Sequence, residues 1–210
     1  MSQIKKDQPQ AAAGTKPRIA TVTRETKETS ITATINLDGL GKYEVDTGIG
    51  FFDHMLEGFS RHGFFDLKLK CKGDLEVDPH HTVEDCGIVL GQAIAKALGD
   101  KSGISRYGFF ILPMDDALIL TSLDLGGRFY FDFECRMDTP SVGAFETQLA
   151  REFFYALAAN AQMNLHIEML RGLNDHHKIE AMFKSFAKSL DMAIRPDPRI
   201  SGVLSTKETL

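Results

Sequence analysis

Two copies of one short pattern hold the residues best suited to chemistry in this chain. They are Asp78-Pro79-His80-His81-Thr82-Val83-Glu84 and Asn174-Asp175-His176-His177-Lys178-Ile179-Glu180. Each contains His-His-x-x-Glu, and together they use four of the seven histidines. Imidazole and carboxylate are metal ligands, and such a grouping is costly to bury unless something binds it. One copy alone reads as surface histidines at a helix start. Two copies with matched flanks point to two similar halves that together build metal sites.

Residues four apart share a helix face, so His80 with Glu84, and His176 with Glu180, can each grip one ion. Adjacent histidines point about 100° apart on a helix, so His81 and His177 do not easily join their neighbours' ion. Two ions satisfy all of them if each takes a His–Glu pair from one half and the odd histidine from the other. His54 and Glu152 precede the two clusters on matching helices and supply the remaining protein ligands. One site is then His54, His81, His176 and Glu180. The other is His80, Glu84, Glu152 and His177. Four protein ligands leave positions for substrate or water on a six-coordinate ion. His166 alternates with Leu165 and Ile167 and reads as a structural histidine. His62 before Gly63 reads as a helix end with substrate contact possible.

Positioning these groups takes a repeated scaffold. Residues 19–24 and 30–37 alternate with period two and read as strands. Asp38-Gly39-Leu40-Gly41 reads as a turn, with 42–46 as the returning strand. A helix follows over 51–61, a strand over 65–71, and an amphipathic helix over 82–98 that ends at Gly99. The second half repeats the order. Residues 117–123 form a strand, Asp124-Leu125-Gly126-Gly127 a turn, and 128–135 the returning strand. A helix over 146–160, a strand over 164–170 and a helix over 178–194 complete it, stopped by Arg195-Pro196-Asp197-Pro198. The shift is about 96 positions, taken between the clusters (176 minus 80). The expected fold is α+β: an internally duplicated α/β unit with two four-stranded sheets, each backed by helices. The divisions are a disordered tail over 1–16, repeats over 17–108 and 109–196, and a C-terminal tail over 197–210 that contributes to the substrate site.

The 210 residues carry a formal net charge of -5 and are 43% hydrophobic, enough for a sizeable core. A pI near 5.8 argues against nucleic acid as partner. No apolar run is long enough to span a bilayer, and the first residues lack a hydrophobic signal core. Cys71, Cys86 and Cys135 are odd in number and lack C-x-x-C spacing, so they read as reduced thiols in a cytoplasmic protein.

From about residue 18 to residue 207 the chain resembles the imidazoleglycerol-phosphate dehydratase family of histidine biosynthesis. The carriers are Lys27-Glu28-Thr29, Phe52-Asp53-His54-Met55-Leu56, Asp78 to Asp85, Gly103-Ile104-Ser105-Arg106-Tyr107-Gly108, Asp124-Leu125-Gly126-Gly127-Arg128 and Asn174 to Lys184. The resemblance implies a fold like domain 2 of ribosomal protein S5, used twice. It implies a large shell of identical subunits, 24 in the usual case, with metal sites at subunit contacts. It implies two Mn2+ per active site, where ligand chemistry alone suggests zinc or iron. The family ligands fall on the positions deduced above, except that Glu152 stands where many members have histidine.

The implied reaction removes water from D-erythro-imidazole-glycerol phosphate and gives imidazole-acetol phosphate. The hydrogen lost sits on a carbon with no adjacent carbonyl and is not acidic. Two ions, one at each ring nitrogen, would hold the ring as an imidazolate that expels the side-chain hydroxyl, passing through a diazafulvene-like intermediate. Glu28 matches a substrate-contacting residue of the family and is the first candidate for acid or base; Asp115 and Asp116 are weaker ones. The substrate phosphate calls for cations, and Arg106, Arg128 and Lys184 suit it, with Ser205, Thr206 and Lys207 matching the family's last phosphate contacts. Substrate contacts are also expected from His54, His62, His80, His81, Glu84 and His176. Two other classes fit a doubled His-His-x-x-Glu pattern. A metal-storage or metal-sensing protein has no need of Arg106, Arg128 and Lys207. A di-metal phosphoesterase needs bridging carboxylates, which one Glu per cluster does not provide.

Overall fold

A computed structural model describes residues 17–209. The expected 1–16 tail lies outside the described residues. The first half runs β1 (Ile19–Glu25), β2 (Thr29–Asn36), β3 (Tyr43–Asp46), α1 (Gly50–Gly63), β4 (Asp66–Gly73) and α2 (His80–Leu98). The second runs β5 (Tyr107–Met114), β6 (Ala117–Asp124), β7 (Tyr130–Glu134), the short hairpin β8 (Ser141–Val142) and β9 (Phe145–Glu146), α3 (Leu149–Ala161), β10 (Asn164–Arg171) and α4 (Asp175–Ala193). The sheet orders are β1-β2-β4-β3 and β5-β6-β10-β7, the same topology twice. The duplicated α+β unit is therefore present at the level of strand order.

Period-two patterning sets the faces. Along β2, Ile31, Ala33 and Ile35 are buried while Ser30 and Thr32 face out. The expected hairpin return at residues 42–46 does not occur. β2 already has β1 on one edge and β4 on the other, so β3 crosses over and pairs parallel with β4, Tyr43 opposite Leu67. β7 does the same beside β10. The Asp38–Gly41 segment is still a tight turn. Asp66 Oδ1 accepts from Leu40 N–H at 2.9 Å and Lys42 N–H at 3.0 Å. A Cβ on Gly39 would lie 2.3 Å from the Asp66 backbone nitrogen, so only glycine fits there. Strand β5 has no counterpart among the sequence expectations. Its apolar run ends in Pro113, tolerated because β5 is an edge strand.

Both cluster helices begin earlier than their apolar patterning suggests, and each has a polar side chain bonded to its first turn, Asn174 as the cap of α4 and Asp78 just before Pro79, the first flanking residue of α2. Asp78 Oδ1 accepts His80 N–H at 2.7 Å, and Asn174 Oδ1 accepts His176 N–H at 2.9 Å. Asp78 and Asn174 are equivalent under the repeat shift. The double histidines thus occupy first turns.

The halves join through helices. α1 packs on α4, and α2 packs on α3. Gly87 and Gly91 of α2 permit the second contact: a Cβ at either would meet Phe153 O at 2.6 Å or Leu157 O at 2.4 Å. An aromatic core fills the seam. Phe52 lies 5.3 Å from Phe153, and Phe153 lies 5.0 Å from Phe183, all buried. Such pairs contribute about 0.5–1.5 kcal/mol beyond their area.

Candidate metal centre

The α1–α4 contact brings together residues from opposite halves. His54 of α1 meets His176 and Glu180 of α4. His176 Nε2 is 3.2 Å from Glu180 Oε2, and His54 Nε2 is 3.9 Å from Glu180 Oε1. The three donor atoms lie within 4.8 Å of one another, the one such group of three among the described residues. The Phe51 ring meets the His176 imidazole edge-on at 5.1 Å and backs the site with an apolar wall. Two imidazoles and a carboxylate make a mixed N/O donor set that suits a first-row divalent cation.

Glu180 is largely buried, 10% exposed at the side chain. Burial pushes its carboxyl up. Lys184, whose Nζ is 2.6 Å from Oε1, outweighs that together with the two imidazoles and holds Glu180 below its ordinary value. Glu180 is thus ready as an anionic ligand. His62, in the last turn of α1, is pushed below its ordinary value by burial and then by Lys184.

The remaining expected ligands stand apart from this trio. His80 Nε2 is 3.6 Å from Glu84 Oε2, one turn on along α2. The His81 ring points elsewhere: its Nδ1 is 3.0 Å from Asp74 Oδ2, and its Nε2 is 4.0 Å from Glu28 Oε1. His177 Nδ1 is 2.6 Å from Asp116 Oδ1, and its Nε2 is 3.5 Å from Asp115 Oδ2. Hydrogen bonds to Asp74 and Asp116 push both imidazoles above their ordinary value. Glu152 sits in the first turn of α3 beside Arg151, at 3.1 Å. Within one chain, then, three of the four ligands expected for the first ion converge, while His81 and the second set do not. His166 lies on β10 near Asp132 and Tyr130, on neither cluster.

Glu28 is in the β1–β2 turn. Thr26 Oγ1 accepts the backbone N–H groups of Glu28 and Thr29 at 3.1 and 3.0 Å. Thr29 Oγ1 in turn donates to buried Asp85 at 2.5 Å, and Arg24 Nε donates to the same carboxylate at 3.1 Å. Asp85 follows Glu84 on α2, so the turn bearing Glu28 is tied to the cluster helix.

A separate cleft of about 920 Å³ is lined by Arg106, Arg128, Arg199, Ser205, Thr206 and Lys207. Arg106 is anchored rather than free, bonded to Asp124 at 2.6 and 2.9 Å and to Leu204 O at 2.6 Å. Arg199 was not expected from the sequence; as one arginine beside prolines it carries no spacing signal. Lys184 lies on the metal trio rather than lining this cleft. Asp74 was missed too, since nothing in the chain order links it to His81.

Comparison with known proteins places this geometry. A family model described as imidazoleglycerol-phosphate dehydratase matches residues 47–190. The imidazoleglycerol-phosphate dehydratase of Lachnoclostridium phytofermentans is 58% identical over 193 residues, covering 92% of this chain and 98% of that protein. That of Acetivibrio thermocellus is 57% identical over 189 residues, covering 90% and 97%. The crystal structure from Staphylococcus aureus superposes with a TM-score of 0.78 at 36% identity, covering 85% of this chain and 99% of that one. The Pyrococcus furiosus structure gives 0.79 at 35% identity, covering 90% and 100%. The duplicated fold and these relatives define a hydro-lyase. The chain belongs to the imidazoleglycerol-phosphate dehydratase family. No helix among the described residues is long and apolar enough to cross a membrane.

Proposed function

We propose that this chain dehydrates D-erythro-imidazole-glycerol phosphate to imidazole-acetol phosphate by a two-Mn2+ mechanism. The observation that carries the metal part is the convergence of His54, His176 and Glu180 from opposite halves. Bound divalent cations at the two ring nitrogens would supply Lewis-acid stabilisation of the ring as an electron reservoir. His54, His81, His176 and Glu180 would hold one ion, and His80, Glu84, Glu152 and His177 the other. His62 borders the substrate.

The chain's own residues do the rest. Arg106, Arg128, Ser205, Thr206 and Lys207 line a cationic cleft fit for the phosphate. Lys184, held on Glu180 beside the metal trio, would meet the substrate from that side. Anchoring the phosphate would restrict the motion of the carbons that react. The hydroxyl takes a proton from an acid and leaves the ring-adjacent carbon as water, and the neighbouring carbon gives up its proton to a base. The resulting enol takes a proton on the ring-adjacent carbon, releases its O–H proton and becomes the ketone. Glu28, 4.0 Å from His81 and exposed at 54% of its side chain, is the group we assign to proton transfer.

We further infer that the site is completed between copies in a large homo-oligomer of 24 subunits. Val77 and Leu173, equivalent under the repeat, are 64% and 83% exposed three residues before each double histidine. Phe109 and Ile111 on the outer face of β5 are also exposed. Apolar side chains so placed suit burial against a second copy. The free thiols Cys71, Cys86 and Cys135 suit a cytoplasmic protein. The test is keto-product formation from imidazole-glycerol phosphate by purified, Mn2+-loaded protein. Product that depends on Mn2+ is expected; metal-loaded protein that yields none rejects the assignment.

A further inference from the structure

Two carboxylates from unrelated loops grip the two double-histidine motifs in the same way. Asp74, after β4, places Oδ2 3.0 Å from His81 Nδ1. Asp116, in the turn between β5 and β6, places Oδ1 2.6 Å from His177 Nδ1. The repeat carries His81 onto His177. By strand order β6 is the counterpart of β2 and β10 of β4, so Asp116, just before β6, stands where Glu28 does, and Asp74, just after β4, stands where Gly172 does. The two halves therefore hold equivalent histidines with carboxylates from non-equivalent positions. A hydrogen bond accepted from Nδ1–H fixes the tautomer and leaves the Nε2 lone pair for a cation. Nε2 is also the atom that His54, His80 and His176 turn toward carboxylates.

We propose that Asp74 and Asp116 are positioning residues that lock His81 and His177 as Nε2 metal donors. This rests on the metal reading above. Asp116 has a second duty: it accepts the backbone N–H groups of Leu173 and Asn174, at 2.5 and 2.9 Å, and so fixes the residue that caps α4. Asp115, at a left-handed φ of 48°, shapes the turn that presents it. The only side chain that the Asp74 carboxylate bonds among the described residues is His81. Asp74 thus gives the cleaner test.

The experiment titrates Mn2+ into the full-length protein and follows the free aqua ion by electron paramagnetic resonance, with circular dichroism and molar mass alongside. Asp74→Ala and Asp116→Ala are expected to weaken Mn2+ binding roughly 10–100-fold at one class of site with the helical spectrum unchanged. Asp74→Asn keeps an acceptor oxygen and recovers most of the loss. Wild-type affinity in Asp74→Ala, or equal losses in Asp74→Ala and Asp74→Asn, overturns the proposal. If Asp116→Ala unfolds through its lost cap, the Asp74 pair alone decides. Wild-type protein that takes up no Mn2+ overturns the metal reading itself, and this inference with it.

Discussion

His54 Nε2 lies 3.9 Å from Glu180 Oε1, although His54 belongs to α1 of the first repeat and Glu180 to α4 of the second. The contact exists because the aromatic seam of Phe52, Phe153 and Phe183 presses the halves together. Removing either partner should therefore cost metal. His54→Ala and Glu180→Ala are each expected to lower Mn2+ affinity by at least about 100-fold, more than loss of a group that only orients a ligand. Isothermal titration of the folded variants checks it, and unchanged affinity in both would remove these residues from the ligand set.

Glu28 touches none of the trio, so its role separates from metal binding. Glu28→Gln should reduce kcat by roughly 10²–10⁴-fold, the usual range for loss of a general acid or base. Its Mn2+ content should match wild type. Full activity in this variant would move proton transfer to another carboxylate, with Asp115 the next to test.

Lys178 is fully buried between Asp138 and Asp175, at 2.6 and 2.8 Å, and pins the first turn of α4 to the 136–139 segment. Lys178→Met leaves Asp175 buried without its cation and should destabilise by about 3–5 kcal/mol. Thermal unfolding reads this. A loss below 1 kcal/mol, on the order of an exposed pair, would mean that the Thr139 contacts suffice for Asp175.

The same pair sets a pH window. Burial pushes the Asp175 carboxyl up, but Lys178 and Thr139 outweigh it and bring it from 3.8 down to about 2. Its contribution is present above 3.8 and disappears as pH falls through about 2. Burial pushes Lys178 down, yet Asp138 and Asp175 hold it above 10.5, so its contribution is present below 10.5 and disappears as pH rises through the raised value. Melting curves of wild type against Asp175→Asn/Lys178→Met should converge at both extremes and differ most between them. A constant difference across the range would contradict this.

Helix α2 approaches α3 closely enough that Gly91 has Leu157 O only 2.4 Å from where a Cβ would stand. Gly91→Ala should cost about 1–3 kcal/mol by forcing the helices apart, despite alanine's better helix propensity. A stabilised variant would show that the seam yields freely.

The sequence by itself determined the duplication, the helix faces and the ligand types. His-His-x-x-Glu recurs at a fixed shift, and spacing on a helix is a local property, so His80 with Glu84 and His176 with Glu180 were legible directly. Local pattern could not say which sheet edge β3 or β7 would join, because pairing partners compete across the chain and the β2 edges were already taken. Nor did it reveal β5, whose apolar run lacks a clean period, or the burial of Lys178. Asp74 and Asp116 sit in loops with no periodicity, so their partnership with His81 and His177 follows only from where the folded strands end. The repeat already grouped His54 with His176 and Glu180, but tertiary packing is what carries them together, since helices from separate repeats meet only when both halves bury one shared apolar seam.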